Sequence, residues 1–338
     1  PGTGQFLATS CNNNLCTATG ILLQAGLFTP LIYQNLNNQG WNRVTTFTHT
    51  GSFLSSTCTD KQCIAAGNAQ PIPLLSVSSN QGGTWSLISI DSGSDQFLSS
   101  SCSGLLCTAV GIKSPTLLLY QSTNGGITWF GIPLNVAGNF NSTSCMNNHC
   151  IAVGSAANKP IIFQTTDGGV QWNQVNLTNP PNGLFNSSAC SNNICTAAGK
   201  TVNILSSPLL YQTTNGGGQW NQVNLTNPPN GQFNSSACSN SMCVAVGTSS
   251  STQSTPLLFQ TTNGGHFWES INLPTSPYGQ FNSSNCNNLN NDIRCIVGGL
   301  NTLTEQPLLF MTLDSGQSWG LIGTNSIFGN IKTTTAAS

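Results

Sequence analysis

Charge is what this sequence most lacks. Only 4 % of its 338 residues are Asp, Glu, Lys or Arg, and the formal net charge is −1. That excludes the basic stripe by which a protein holds nucleic acid or anionic lipid, so neither is expected as a partner. Long apolar runs are missing as well, and no stretch approaches the ~20 residues that a membrane-spanning helix needs. Helical periodicity is absent, with Gly or Pro every few residues. An odd cysteine is also missing, because the fourteen fall into seven close pairs. Such pairing reads as a disulfide set and points to a secreted, periplasmic or cell-surface setting. The chain opens on Pro1 rather than Met, as expected after removal of a signal segment. With so little charge, the polar surface has to come from Asn, Ser, Thr and Gln, and near-zero net charge favours association between copies.

What is present is a repeat. The first cysteines of successive pairs stand at Cys11, Cys58, Cys102, Cys145, Cys190, Cys238 and Cys286, in steps of 43 to 48 residues. All seven tryptophans keep the same beat: Trp41, Trp85, Trp129, Trp172, Trp220, Trp268 and Trp319. The fifth copy shows the unit most clearly. Two β-prone runs, Leu184–Cys190 and Cys195–Gly199, flank a short polar link, a third run covers Pro208–Thr214, and a fourth starts at Trp220. Between the last two stands Asn215-Gly216, a step that supplies the positive φ angles of a tight hairpin. Each copy is therefore a four-stranded antiparallel meander of the length of one propeller blade.

The predicted fold is all-β, a seven-bladed β-propeller. Its blades cover about 1–48, 49–92, 93–136, 137–180, 181–228, 229–276 and 277–323, and a tail covers 324–338. Small residues on the second strand, as in Ala65-Ala66-Gly67 and Ala245-Val246-Gly247, are expected where blades crowd together. A Phe stands five residues before each first cysteine (Phe6, Phe53, Phe97, Phe140, Phe185, Phe233, Phe281), and these rings and the tryptophans are expected to pack between blades.

The cysteine pairs close short loops: Cys11 with Cys16, Cys58 with Cys63, Cys102 with Cys107, Cys145 with Cys150, Cys190 with Cys195, Cys238 with Cys243 and, with a longer link, Cys286 with Cys295. Each suits facing positions of the first hairpin, and loop closure over so short a span is worth ~2 kcal/mol. Zinc is the weaker reading, since each pair offers two ligands where the metal wants four. The histidines, His49, His149 and His266, fall at unrelated repeat positions. Neither a metal nor a cofactor is expected.

The turn before each tryptophan carries a further signature. It reads Ser78-Ser79-Asn80-Gln81-Gly82-Gly83-Thr84-Trp85 in the second copy and Thr165-Thr166-Asp167-Gly168-Gly169-Val170-Gln171-Trp172 in the fourth, with Thr312 to Trp319 in the last. This resembles the Asp-box (BNR) hairpin, Ser/Thr-x-Asp-x-Gly-x-Thr-Trp, of sialidase-like, sortilin-like and photosystem-assembly-factor-like propellers. Asp is kept at Asp167 and Asp314, Asn replaces it at Asn80, Asn124, Asn215 and Asn263, and the first copy has a shortened box, Asn37-Asn38-Gln39-Gly40-Trp41. The resemblance implies the fold and not an activity, because the box is a turn remote from the active site of that family.

No reaction is expected. The sialidases of the family grip a carboxylate with three arginines, and this chain has two, Arg43 and Arg294. A glycoside hydrolase needs a facing carboxylate pair, whereas Asp60, Asp91, Asp95, Asp167, Asp292, Asp314, Glu269 and Glu305 take inconsistent repeat positions. Asp91 and Asp95 share one inter-blade link, which reads as a plain turn before it reads as a cation site. The expected role is a structural, self-associating extracellular component of a filament, sheath or array, with copies of itself as partners. A propeller that binds carbohydrate or a surface protein is the alternative, with few aromatics such as Tyr278 and Phe130 free as platforms.

Two further features bear on that role. Ile327, Phe328 and Ile331 lie in the tail, where they suit docking on the chain's own first blade or strand addition to a neighbouring copy. Six Asn-x-Ser/Thr triplets occur. Asn141, Asn186, Asn234 and Asn282 follow the repeat Phe, at a strand position that elsewhere carries Leu, while Asn176 and Asn224 lie beside Pro-rich links and are the better glycosylation candidates.

Overall fold

The computed structural model describes residues 3–12, 15–24, 26–37, 39–44, 47, 49–69, 72–90, 95–251, 253–274, 278–289 and 292–323. The chain is all-β, a seven-bladed β-propeller in which each blade carries one disulfide. Blade 5 is typical. Its strands, Gly183–Ser191, Ile194–Thr201, Pro208–Thr213 and Asn221–Gln222, pair antiparallel in chain order. Blade 1 follows the same order with longer strands, Thr3–Asn12, Leu15–Gln24, Leu27–Leu36 and Trp41–Arg43. In blade 3 the second and third strands run on as one element, Leu106–Ser122, which contains a cis Ser114–Pro115 bond.

Backbone proximity divides the chain into two compact units. One is Pro1–Ala152 with Thr165–Trp172, the other Val153–Gln164 with Asn173–Ala336. The first unit holds the first three blades, the second the last three.

The cysteines face each other across the first hairpin, as the spacing predicts. Cys11 pairs with Cys16 and Cys190 with Cys195 in register, with Cα atoms 4.0 and 4.1 Å apart. A β-bulge follows the repeat Phe in the first strand, seen between Phe185 and Ser187 and between Phe233 and Ser235. There the two backbones close on each other, and a Cβ on Gly199 would lie 2.0 Å from the Leu184 carbonyl oxygen. The second-strand glycine is thus demanded inside its own blade by the bulge, a different reason from the crowding between blades that the sequence suggested. The fourth strand is shorter than expected and begins after the tryptophan at Asn221–Gln222, because the indole turns away from the ladder toward the preceding blade.

Within each unit the cores lie between successive blades. Ile64, Leu75 and Val77 of blade 2 meet Phe97, Ala109 and Leu118 of blade 3. Met242, Val244 and Leu258 of blade 6 meet Phe281, Phe310 and Trp319 of blade 7. Burial of such side chains stabilises by roughly 1.5–3 kcal/mol each.

Candidate functional site

Neutral polar side chains do much of the joining between blades. Trp268 Nε1 donates to Gln212 Oε1 of blade 5 at 2.7 Å, and Gln212 Nε2 donates to the Gly265 carbonyl at 2.5 Å. Gln164 serves Trp220 and Gly217 in the same way, and Gln260 serves Trp319 and Gly316. On the first strands, serine hydroxyls accept backbone N–H groups of the next blade: Ser10 from Cys58 at 2.9 Å, Ser55 from Ser100 at 2.9 Å, Ser235 from Ser284 at 3.0 Å. These bonds explain how a chain so rich in Gln and Ser keeps its inter-blade surfaces satisfied without charge.

The Asp-box turns use Asp and Asn alike. Thr165 donates to Asp167 Oδ1 at 2.7 Å, which accepts the Gln171 N–H at 3.1 Å. In blade 2, Ser78 donates to Asn80 Oδ1 at 3.0 Å, which accepts the Thr84 N–H at 2.8 Å. An amide oxygen replaces a carboxylate oxygen without change of geometry. Asp314 is held low, to a pKa of about 2, first by the Ser318 hydroxyl and then by the Ser318 N–H and Thr312. The Gln171 N–H, followed by the Thr165 hydroxyl, lowers Asp167.

The other predicted positions are dispersed. Asp95 is buried and lies 3.9 Å from the Lys113 ammonium, while Asp91 lies outside the described residues. Glu269 accepts from Gln260 at 2.9 Å. Among the described residues no three His, Cys, Asp or Glu side chains gather as a metal site. Asn186 and Asn234 are half-buried and spend their amides on the Phe233 and Phe281 carbonyls of the next blade. Asn141 and Asn282 are half-buried, whereas Asn176 and Asn224 are exposed. Ile327, Phe328 and Ile331 lie outside the described residues.

Blade 1 breaks the pattern. Phe53, Phe97, Phe140, Phe185, Phe233 and Phe281 are fully buried, but Phe6 is 45 % exposed. Trp220, Trp268 and Trp319 are buried, but Trp41 is 49 % exposed. The expectation that every tryptophan is taken up between blades therefore fails at Trp41. Phe6 and Tyr33 meet edge to face, with ring centroids 5.6 Å apart. Around them opens a cleft of about 620 Å³ walled by Phe6, Leu22, Leu31, Tyr33 and Trp41, with the exposed Arg43 at its border. That volume lies in the range of ligand clefts, ~300–1,000 Å³. Near it, the tip of the hairpin between the second and third strands exposes Leu23, Leu27 and Phe28. No other repeat Phe is exposed to solvent among the described residues. Sequence reasoning missed this site, because the residues that line it are those of the ordinary repeat.

No family model and no curated protein matches the chain. Solved structures do. YCF48 bound to D1 peptide superposes with a TM-score of 0.52 at 17 % identity, covering 82 % of each chain. YCF48 from Cyanidioschyzon merolae superposes with a TM-score of 0.53 at 14 % identity, covering 84 % of this chain and 89 % of that one. These likenesses establish the fold of the chain, a β-propeller.

Proposed function

We propose that this protein is a non-catalytic, secreted structural component that associates with copies of itself in an extracellular or cell-surface assembly. The observation that carries the reading is the open aromatic face of blade 1. A contiguous apolar surface of this kind marks an interaction site, and Phe, Tyr, Trp and Arg are the residues enriched in such sites. Seven disulfides suit an oxidising compartment. A net charge of −1 leaves little repulsion between copies. Catalysis is a poor fit, since Asp167 and Asp314 are engaged in turns, Asp95 lies beside Lys113 and Glu269 accepts from Gln260.

A second reading has its own support. Exposed aromatic rings beside Arg43 are also the furniture of a binding cleft for a carbohydrate or a protein segment, and one similar propeller, YCF48, is described with a peptide bound. Negative-stain microscopy of native material, with light scattering of the purified protein, separates the two. Polymers or ordered arrays support the structural role. A strict monomer that is retained on a glycan array, and loses that retention on Trp41→Ala, replaces it with the binding role.

A further inference from the structure

We propose that a cleft between blades 6 and 7 binds a basic group, an ammonium or guanidinium on a short aliphatic stem, with Glu269 as its anchor. The cleft shares no residue with that of blade 1 and is lined wholly by residues of the second unit. It opens beside the Asp-box turn of blade 7 and has a volume of about 580 Å³, within the range of ligand clefts, ~300–1,000 Å³.

Glu269 departs from the repeat. The residue after the tryptophan is Asn42, Ser86, Phe130, Asn173, Asn221 or Gly320 in the other copies, and an acid only here. Its carboxylate is fixed by the bridge that joins the two blades. Gln260, 2 % exposed, accepts from Trp319 Nε1 at 2.9 Å and donates through Nε2 to the Gly316 carbonyl and to Glu269 Oε1, both at 2.9 Å. One carboxylate oxygen is thus pinned, and the other is left for a ligand. No Lys or Arg lines the cleft, and among the described residues Glu269 takes part in no ion pair. An uncompensated carboxylate in a concave, otherwise neutral site concentrates its field on the space in front of it, which draws a cation. A neutral ligand gains little from that field.

The rest of the lining fits the stem. Met242 and Ile293, both buried, supply its apolar part, and a methionine side chain adapts to the shape laid on it. Asn240, Thr262 and Gln317, all exposed, supply uncharged hydrogen-bonding groups. Lysine and arginine lay their methylenes along apolar surface while the charged head stays among polar groups. The same chemistry comes from two sources, a basic side chain in a protein segment or a free alkylamine.

The experiment follows the tryptophan indole N–H resonances of the full-length chain by two-dimensional NMR, with the Trp319 signal assigned by its loss in Trp319→Phe. That proton bonds to Gln260, which holds Glu269, so a ligand on the carboxylate shifts it. Acetyl-Gly-Arg-Gly-amide, acetyl-Gly-Lys-Gly-amide and cadaverine are titrated beside methyl glucoside. The basic probes are expected to shift the Trp319 signal saturably, and the neutral sugar to leave it in place. Glu269→Gln keeps an acceptor for Gln260 and removes the charge. It should weaken binding about fivefold or more, as loss of one partner of a charge pair does. Its unfolding midpoint should stay unchanged, since the side chain is exposed. Peptides that bind more tightly than cadaverine identify a protein segment as the ligand, and the reverse order identifies a free amine. A Trp319 signal unmoved by every basic probe, an equal response to methyl glucoside, or undiminished binding by Glu269→Gln overturns the proposal. Shifts spread over all the indole signals, in wild type and variant alike, overturn it as well.

Discussion

Blade 1 and blade 6 are built alike and finished differently. In blade 6, Phe233 meets Phe259 edge to face at 5.7 Å, Trp268 donates to Gln212, and all three rings are buried. In blade 1, Phe6 meets Tyr33 edge to face at 5.6 Å, yet Phe6 and Trp41 stand about half exposed. The ring pair is a property of the blade, set by strand register. Burial is a property of the neighbour. Features of the first kind should therefore cost the same to break in either blade, and features of the second kind should not.

The largest contrast belongs to the repeat Phe. Phe233→Ala removes a ring from the middle of a packed inter-blade core and should cost about 3–5 kcal/mol. Phe6→Ala at the open face should cost about 1 kcal/mol or less in the monomer, as exposed positions do. Urea denaturation of the two variants decides the matter. Equal losses would mean that the face of blade 1 is covered in solution even without a second copy.

The bulge glycine gives the matching control. Gly20→Ala and Gly247→Ala would each drive a Cβ to about 2 Å from a first-strand carbonyl oxygen, that of Gln5 or Gln232. Each should destabilise by about 1–3 kcal/mol, the usual range for overpacking. Because the clash lies within one blade, the two losses should agree. A cheap Gly20→Ala beside an expensive Gly247→Ala would show that blade 1 is loosely formed rather than merely uncovered.

A smaller difference attaches to the glutamine bridge. Gln212→Ala leaves the Trp268 indole and the Gly265 carbonyl without their partner, at about 1–3 kcal/mol. The same change at Gln34, whose bond from Trp85 is longer at 3.3 Å, should cost less. If both cost nothing, the polar bridges are passengers of apolar packing.

Much of this was legible in the residues, for a physical reason. A blade is local: the Cys-x4-Cys hairpin, the Asn-Gly turn and the Asp-box fix its four strands within about 45 residues, and each signal rests on one backbone requirement. The repeat also announces which side chains go between blades. What the repeat does not announce is where it stops being used. Phe6 stands five residues before its cysteine like every counterpart, and Trp41 falls within the range of spacings of the other tryptophans, so neither identity nor spacing marks them as exposed. The shortened box before Trp41 was the one local sign of a departure. The serine and glutamine bridges were hidden for a related reason, since Ser235 and Gln212 look like surface polar residues until the next blade is set beside them.

The subtlest expected effect concerns acid. The two carboxylate boxes differ from the four amide boxes in one respect, that they titrate. Asp314, accepting from Ser318 and Thr312, has its pKa lowered to about 2 from the usual 3.8. A group whose pKa is depressed on folding contributes stability that is fully present above its unfolded value near 4 and is lost as pH falls through about 2. Asn80, Asn124, Asn215 and Asn263 make the same turn with an oxygen that cannot be protonated in that range. Asp314→Asn should therefore remove part of the slope of stability against pH between about 4 and 2 while leaving the midpoint at pH 7 nearly unchanged, which thermal unfolding across that range measures. An unaltered slope would mean that the Asp314 carboxylate does not carry the acid sensitivity of this turn.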